Sequence, residues 1–247
     1  MDTEIEERYE SLKKLYEELD RCEACPFGKS SINKPKLHES PEVIRDYKIE
    51  IMFVGINPSN KRNVDYIKRD FRPWSILPKG KVDDEETAKK LGIGYFSEFE
   101  GYCAYNDAPI FYAFKLLGIN REKVFITNLV KCAKIENNNS NIDLSVVERC
   151  KSFLEREIEL VKPKLVIFMT RDKRYDTVLD ELRNKYKEYK DLHMDRIHHP
   201  GYYRRKGILR SHPEIRKDYA SEIDKIYEAA KVKGIEFSIR LTDPTKS

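Results

Sequence analysis

Apolar residues follow two spacings along this chain, and these spacings predict helices in some segments and strands in others. From Ile5 to Leu19, apolar residues recur every three or four positions, which predicts an amphipathic helix over residues 3–20. Later segments are short, rich in apolar residues and bounded by loop residues, as buried strands are. These segments predict strands at Ile49–Val54, Val124–Leu129, Leu165–Met169 and Leu192–Ile197.

Helical segments separate the predicted strands. Strands that alternate with helices favour an α/β fold, here a three-layer αβα domain around a central, mainly parallel four-stranded sheet. We expect a single domain over residues 1–247, with an irregular inserted segment at about 60–101 and an edge strand over 235–241. Further helices are predicted at about 84–91 and at 107–118, 143–161, 174–189 and 213–232.

The charge of the chain is high but balanced. Charged residues make up 36% of it, and 47 Lys and Arg stand against 43 Asp and Glu, so the net charge of +4 gives no overall attraction for nucleic acid. A local cluster favours such a partner, with a solvated surface as the alternative; it consists of Arg204, Arg205, Lys206 and Arg210. No segment resembles a signal peptide or a membrane span, so we expect a cytoplasmic protein without membrane contact.

Five cysteines in a reducing compartment favour metal binding over disulfides. Cys22 and Cys25 form a CxxC pair, Cys132 follows the second predicted strand, and Cys150 lies 18 positions later on the next helix. Four thiolates hold zinc or an iron–sulfur cluster, and spacing does not separate the two. A redox CxxC pair beside two core cysteines is also compatible with the pattern. Cys103 is expected to be a packed residue.

The first predicted strand runs into a loop that reads GINPS, formed by Gly55, Ile56, Asn57, Pro58 and Ser59. Ligands of open α/β sheets bind at the carboxyl ends of the strands. The sequence therefore predicts a ligand site at this change from strand to loop.

Three motifs resemble those of the uracil-DNA glycosylase superfamily, in its iron–sulfur branch, family 4. Ile126–Cys132 reads ITNLVKC and resembles the TN-x-VKC motif, whose cysteine is a cluster ligand in that branch. His199–Arg204 reads HPGYYR and resembles the C-terminal HPS-type motif, while GINPS stands in the place of the first catalytic motif. The resemblance covers about residues 20–225. It implies a structural [4Fe-4S] cluster, rather than zinc, held by Cys22, Cys25, Cys132 and Cys150.

Two features depart from that branch. Family 4 has an acidic residue where this chain has Ile56, and GINPS is closer to the GINPG of the mismatch-specific uracil glycosylases, whose Asn positions the attacking water. The segment at about 60–101 is also far longer than the short family 4 connection. Both features bear on which base is removed, and Asp65 or Asp70 of the insert are candidates for an assisting carboxylate.

The resemblance also implies roles for single residues once the target nucleotide has been flipped out of the duplex. Asn128 would read the uracil edge, because an amide both donates and accepts hydrogen bonds. His199, with His198 as the neighbouring candidate, would stabilise the leaving base, and Asn57 would position the water. The alternatives are a strand-end cap for Asn128, a structural role for the histidine and a turn residue at Asn57.

Further residues are implied in contacts with the base and the DNA. Tyr102 corresponds to the family's base-stacking aromatic residue, with Tyr105 as the second candidate and a core tyrosine as the alternative. Other substrate-binding residues would be Gly55, Ile56, Pro58 and Ser59. The loop that enters the DNA would be formed by Gly201, Tyr202, Tyr203, Arg204 and Arg205.

The implied function is that of a monofunctional DNA glycosylase, a monomer acting in base excision repair. It would hydrolyse the N-glycosidic bond of uracil, or of another deaminated base, in DNA and leave an abasic site. A close alternative is a glycosylase for hypoxanthine, xanthine or mismatched thymine. Two others are an iron–sulfur module that binds nucleic acid or modifies RNA without excising uracil, and a zinc-stapled binding protein.

Overall fold

A computed structural model describes residues 2–24, 39, 41–56, 123–132, 142–189, 192–198 and 213–235, with only the helical backbone at 213–221 and 223. The strands are β1 (Ile51–Gly55), β2 (Val124–Asn128), β3 (Leu165–Phe168) and β4 (His193–Arg196). A 3-10 turn, Lys173–Tyr175, precedes the fourth helix. The α-helices are α1 (Thr3–Asp20), α2 (Val43–Asp46), α3 (Leu144–Val161), α4 (Asp176–Tyr186) and α5 (Pro213–Val232).

The four strands form one parallel sheet in the order β2-β1-β3-β4. Ile51 of β1 pairs with Val124 on one side and with Leu165 on the other. β3 in turn pairs with β4, from Leu165 opposite His193 onwards. The predicted α/β class and the four-stranded sheet are therefore confirmed, and every pairing among these strands is parallel.

Both faces of the sheet are buried, which explains why its central strands are apolar at every position rather than at alternate ones. One face packs against α1, α3 and α4, and it presents Met52, Val54, Phe125, Val166 and Phe168. Successive side chains of a strand point to opposite faces, and the alternate residues, such as Phe53 and Ile126, are buried as well. Thr127 of β2 therefore points towards the helices named here, and Asn128 points the other way.

Long-range side-chain contacts fix α1 against α3. Arg8 donates hydrogen bonds to the carbonyl oxygens of Leu160 and Val161, at 2.6 and 2.8 Å. These carbonyls lie in the last turn of α3, where a helix has no internal donors left. Near the other end of α1, Glu18 pairs with Arg156 of α3. The two helices thus run antiparallel, which brings the residues that follow α1 towards the first half of α3.

Most predicted elements in the described part of the chain are present, with shifted ends. α1 and α5 have the predicted bounds, whereas β1 begins at Ile51 instead of Ile49. The predicted helix 174–189 is divided into the 3-10 turn and α4, which ends at Tyr186. The pattern does not predict α2, because Pro41 reads as a loop residue although proline is well tolerated where a helix begins.

The predicted helices at about 84–91 and at 107–118, the insert at about 60–101 and the edge strand beyond Ile235 lie outside the described residues. The chain divides into two compact units. The first covers Met1–Ile67 and Lys123–Ile197 and contains the sheet with α1 to α4, and the second covers Lys68–Glu122 and His198–Ser247 and contains α5. The single domain over residues 1–247 stays a prediction. None of the helices in the described ranges combines the length and apolar character of a membrane span.

Candidate active site

The carboxyl ends of β1 and β2 lie side by side. Gly55, the last residue of β1, pairs with Asn128, the last residue of β2. The pairing continues past both strands, because the Val130 N–H donates to the Ile56 carbonyl at 2.7 Å. Ile56 directly precedes Asn57, the predicted water-positioning residue. The GINPS and ITNLVKC segments are therefore paired up to the residue before Asn57.

The side chain of Asn128 is buried and incompletely hydrogen-bonded. It is 6% exposed, and its Nδ2 has no hydrogen-bond partner among the described residues. Its Oδ1 lies over Gly55, where a Cβ would come within 2.4 Å of that oxygen. A buried donor without a partner costs about 1–3 kcal/mol. The arrangement therefore favours a ligand that accepts this hydrogen bond, and it requires glycine at position 55.

On the helix side of β2, three polar side chains form a closed, buried set, which we call the Thr127–Lys131–Glu157 triad. Lys131 Nζ lies 2.5 Å from Glu157 Oε2 and donates to Thr127 Oγ1 at 2.8 Å. The Thr127 hydroxyl in turn donates to Glu157 Oε2 at 2.8 Å. Burial and the charge of Glu157 raise the pKa of nearby Tyr16 well above its usual value, so this phenol stays neutral. Lys131 is the basic residue that pairs with Glu157.

Among the described strands, β2 lies at one end of the sheet, and a carboxylate binds one of its backbone donors on the side away from β1. The N–H of Ile126 donates to Glu39 Oε1 at 3.0 Å, and Glu39 is only 2% exposed. Glu39 therefore helps to hold the ITNLVKC segment in place from the side of β2 opposite to β1.

In the second unit, Glu222 of α5 holds His198 by two contacts. The His198 backbone N–H donates to Glu222 Oε2 at 2.9 Å, and the ring atom Nδ1 lies 2.6 Å from Oε1. A carboxylate oxygen accepts hydrogen bonds, so the donor in this contact is the Nδ1–H of His198. Because Glu222 already binds His198, this histidine is better suited to anchoring the chain just before the HPGYYR segment than to contacting the base.

The predicted cysteine ligands in the described part of the chain lie on segments that other contacts bring together. Cys132 and Cys150 are buried, and Cys22 is half-buried directly after α1. Arg149, next to Cys150 on α3, donates a hydrogen bond to the carbonyl oxygen of Ala24, inside the CxxC pair. The antiparallel packing of α1 on α3 therefore places residues 22–24 against the first half of α3.

Cys25 lies outside the described residues. Within the ranges that are described, no three or more His, Cys, Asp or Glu side chains gather as a metal site would require. Four cysteines are nevertheless the donor set that iron–sulfur clusters use, and the Arg149–Ala24 contact ties two of the ligand-bearing segments together. The donor chemistry fits a cluster, and the four-cysteine arrangement itself stays a prediction.

Several other predicted site residues also fall outside the described ranges, so their roles stay predictions. They are Asn57, Pro58, Ser59, Tyr102, His199, Gly201, Tyr202, Tyr203, Arg204 and Arg205.

Two of the buried carboxylates on helices, Glu157 in the first unit and Glu222 in the second, are not among the predicted site residues. Glu157 lies on the apolar stripe of α3, three positions after Leu154 and four before Val161. Glu222 stands four positions before Ile226, which is also buried. A carboxylate inside an apolar helical stripe is the signal that would have found both, because such a group is almost never buried without a partner.

Comparison with known proteins shows the family to which this chain belongs. The family model of the Uracil DNA glycosylase superfamily matches residues 41–214. A type-4 uracil-DNA glycosylase from Sulfurisphaera tokodaii is 25% identical over 231 residues, which cover 90% of this chain and 86% of that protein. One from Archaeoglobus fulgidus is 26% identical over 233 residues, 89% of this chain and 93% of the relative. One from Saccharolobus solfataricus is 28% identical over 130 residues, 49% and 58% of the two chains.

The family match spans the four strands, the ITNLVKC segment and the whole HPGYYR segment. The relatives carry the type-4 name, which is that of the branch indicated by the motifs. The resemblance drawn from the sequence is thereby confirmed, and the chain belongs to the uracil DNA glycosylase superfamily.

Proposed function

We propose that this protein is a DNA repair glycosylase that hydrolyses the N-glycosidic bond of uracil in DNA and leaves an abasic site. The observation that carries the proposal is the buried carboxamide of Asn128, whose Nδ2 has no partner among the described residues. It stands at the carboxyl ends of two adjacent strands, the ligand position of open α/β sheets. Membership of the superfamily and the type-4 uracil-DNA glycosylase names of the relatives support the same reaction.

Asn128 would distinguish uracil from cytosine by its two amide atoms. Its Nδ2 donates to the uracil O4, and its Oδ1 accepts from the uracil N3–H. Cytosine presents an amino group and an unprotonated N3 at these positions, so donor would face donor and acceptor would face acceptor. A site built around hydrogen bonds rejects such a mismatch strongly, because its buried polar groups are left unpaired.

The bond between the sugar C1′ and the base N1 breaks, and the base departs as an anion. His199 would donate a hydrogen bond to the uracil O2 and stabilise the charge that develops there. His198 is engaged with Glu222, which favours His199 for this role. Asn57 follows Ile56 and would orient the water whose oxygen bonds to C1′, while the released proton goes to solvent and the base anion is protonated afterwards.

We further propose that the enzyme is monofunctional, with water rather than an amine as the nucleophile. Lys131 is the lysine nearest to Asn128 in the described sequence. Its Nζ is bonded to Thr127 and Glu157, and its side chain is 2% exposed. A buried, charged and hydrogen-bonded amine is unavailable for attack on the sugar, so this residue supports hydrolysis without strand cleavage.

The cysteines Cys22, Cys25, Cys132 and Cys150 would hold a [4Fe-4S] cluster. When bound, the cluster supplies a rigid link among thiolates and no redox step, since hydrolysis transfers no electrons. Arg149 donates a hydrogen bond to the Ala24 carbonyl and so ties the residue that precedes Cys25 to α3. Cys132 lies four residues after Asn128. A cluster bound to Cys132 would therefore also restrain the segment that carries the base-reading residue.

The test is excision from matched duplex oligonucleotides that carry uracil, hypoxanthine, xanthine or a G·T mismatch at one position. After incubation, alkali cleaves at abasic sites. We expect alkali-dependent strand breaks at uracil and none before alkali treatment. Breaks only at another base would support the alternative that the GINPS motif favours, and no break with any substrate would contradict the enzymatic function. Breaks without alkali would contradict monofunctional hydrolysis.

A further inference from the structure

We propose that the Thr127–Lys131–Glu157 triad is a positioning device that holds the carboxamide of Asn128 in register with the uracil edge. This inference rests on the proposed function, because it names the residues that aim the base-reading group. The three side chains would touch neither the base nor the sugar. They would act through the backbone of β2 and of the turn that follows it.

The triad leaves its members little freedom. The Thr127 hydroxyl uses its single proton towards Glu157 and accepts from Lys131. Lys131 closes the set by bonding to the same carboxylate oxygen of Glu157. The side chains of Lys131 and Glu157 are 2% and 0% exposed, so water does not compete for these hydrogen bonds.

The triad brackets Asn128 in the sequence. Thr127 directly precedes Asn128, and Lys131 stands three positions after it. Because neighbouring side chains of a strand point to opposite faces, fixing Thr127 towards α3 turns Asn128 to the other side. Within the plane of the sheet, the backbone N–H groups of Leu129 and Val130 donate to the carbonyls of Gly55 and Ile56 at 2.8 and 2.7 Å. The segment is thus held by β1 along one edge and by α3 along one face.

Stability alone does not account for the triad. Removing two charges from water is costly, and apolar residues of similar volume often stabilise a core as well or better. Glu157 Oε1 also has no hydrogen-bond partner within the described ranges, a further cost. What the ionic arrangement supplies is direction, because its bonds are satisfied in one geometry only. An apolar contact at the same place would tolerate several orientations of the turn.

The decisive variant is T127V/K131M/E157M, which replaces the whole triad by apolar side chains of similar shape. Replacing all partners together avoids a buried unpaired charge, so we expect the melting temperature and the visible absorbance of the purified protein to stay near those of the wild type. We expect kcat for uracil excision to fall by about 10²-fold, the loss that follows a misplacement of about 1 Å. The Kd for free uracil, measured by calorimetry, should rise with it.

A matched control exists at the amino end of the sheet. Glu50 pairs with Lys164 at 2.9 Å and with Lys123 at 3.0 Å. The variant E50M/K164M removes the Glu50–Lys164 pair and leaves the side chain of Lys123, which is 28% exposed, in contact with water. Both residues precede their strands, at the ends opposite to Gly55 and Asn128. We expect E50M/K164M to keep the wild-type kcat and the wild-type Kd for uracil.

The outcomes separate the inference from the proposed function. If the wild type excises uracil and T127V/K131M/E157M does so with the same kcat and the same Kd for uracil, the triad is merely structural and the inference is wrong. Should that variant melt far below the wild type, E157D takes its place, because it keeps the charges and withdraws the carboxylate by one methylene. E157D with unchanged kcat and Kd overturns the inference equally. A wild type without excision contradicts the proposed function, whatever the variants do.

Discussion

Glu50 at the amino end of the parallel sheet and Asn128 at its carboxyl end differ in how their buried polar atoms are paired. At the amino end, Glu50 Oε1 lies 2.9 Å from Lys164 Nζ and Oε2 lies 3.0 Å from Lys123 Nζ. At the carboxyl end, Nδ2 of Asn128 has no hydrogen-bond partner in the described part of the protein. A carboxylate paired with cations favours the folded state, whereas a buried donor that is left open is available to a ligand. The carboxyl end also holds the paired Thr127–Lys131–Glu157 triad, so what distinguishes it within the described part of the protein is the open donor of Asn128.

Asn128→Ala, at the carboxyl end of the sheet, should cause the largest loss of activity. Loss of a donor that acts in the transition state reduces kcat by about 10²–10³-fold, and we expect the upper part of this range because both amide atoms are removed. Single-turnover excision from a duplex with one uracil measures it. Glu50→Gln is the control from the amino end, and it should lower the melting temperature without slowing excision. Equal rates for Asn128→Ala and the wild type would remove Asn128 from the mechanism.

Gly55→Ala tests the same carboxamide without altering it. The added Cβ would meet Asn128 Oδ1 at 2.4 Å, so the amide must turn away and kcat/KM for uracil should fall by about 10²-fold. Gly234→Ala is the matched glycine control. Gly234 has a φ of +63° with open space around it, so alanine there should cost about 1–2 kcal/mol of folding stability and leave kcat/KM unchanged. A fully active Gly55→Ala would show that the carboxamide need not lie over position 55.

Glu222→Leu tests the role of the histidines, in which a buried carboxylate holds a side chain instead of balancing a lysine. The variant removes both hydrogen bonds to His198, which should loosen the neighbouring His199 and reduce kcat by about tenfold, or about 1.4 kcal/mol in the barrier. KM should change little, because base reading by Asn128 is untouched. Glu228→Ala, at an exposed position of the same helix, is the control. A larger effect on KM than on kcat would contradict this role.

The smallest effect is expected on stability in acid, at the amino end. Burial opposes ionisation of Glu50, but the hydrogen bonds and charges of Lys164 and Lys123 outweigh it and hold the pKa of this carboxyl below its usual 4.5. A lowered folded-state pKa stabilises the fold above about pH 4.5, and this contribution is lost as the pH falls through the lowered value. Denaturant titrations between pH 6 and 3 should therefore show a steeper loss for the wild type than for Glu50→Gln. Parallel curves would mean that Glu50 carries no such stabilisation.

Much of the fold follows from apolar spacing because burial dictates it. α1 is predicted residue for residue, since its stripe from Ile5 to Leu19 faces the core, and the central strands are recognisable because both faces of the sheet are covered. The start of β1 is misplaced because Ile49 is as apolar as the strand itself. Where the ladder begins depends on the partners Val124 and Leu165, which local sequence does not reveal.

The site was only partly predictable. Asn128 and Gly55 stand out at strand ends beside recognisable motifs, and their adjacency follows from parallel pairing. The partners Glu157 and Glu222 are missed because helical periodicity assigns glutamate to the solvent. Their burial depends on cations or ring nitrogens far away in sequence, Lys131 and His198. Long-range polar pairing, unlike apolar spacing, has no fixed period.

The most direct test of the central claim is a crystal structure of the wild-type protein with free uracil. Asn128 Nδ2 is predicted to lie within about 2.7–3.2 Å of the uracil O4, with Oδ1 at a similar distance from N3. The Gly55 Cα should lie beneath the carboxamide. Uracil bound at another place, or an Asn128 side chain that is hydrogen-bonded to protein groups while uracil occupies the site, would contradict the account.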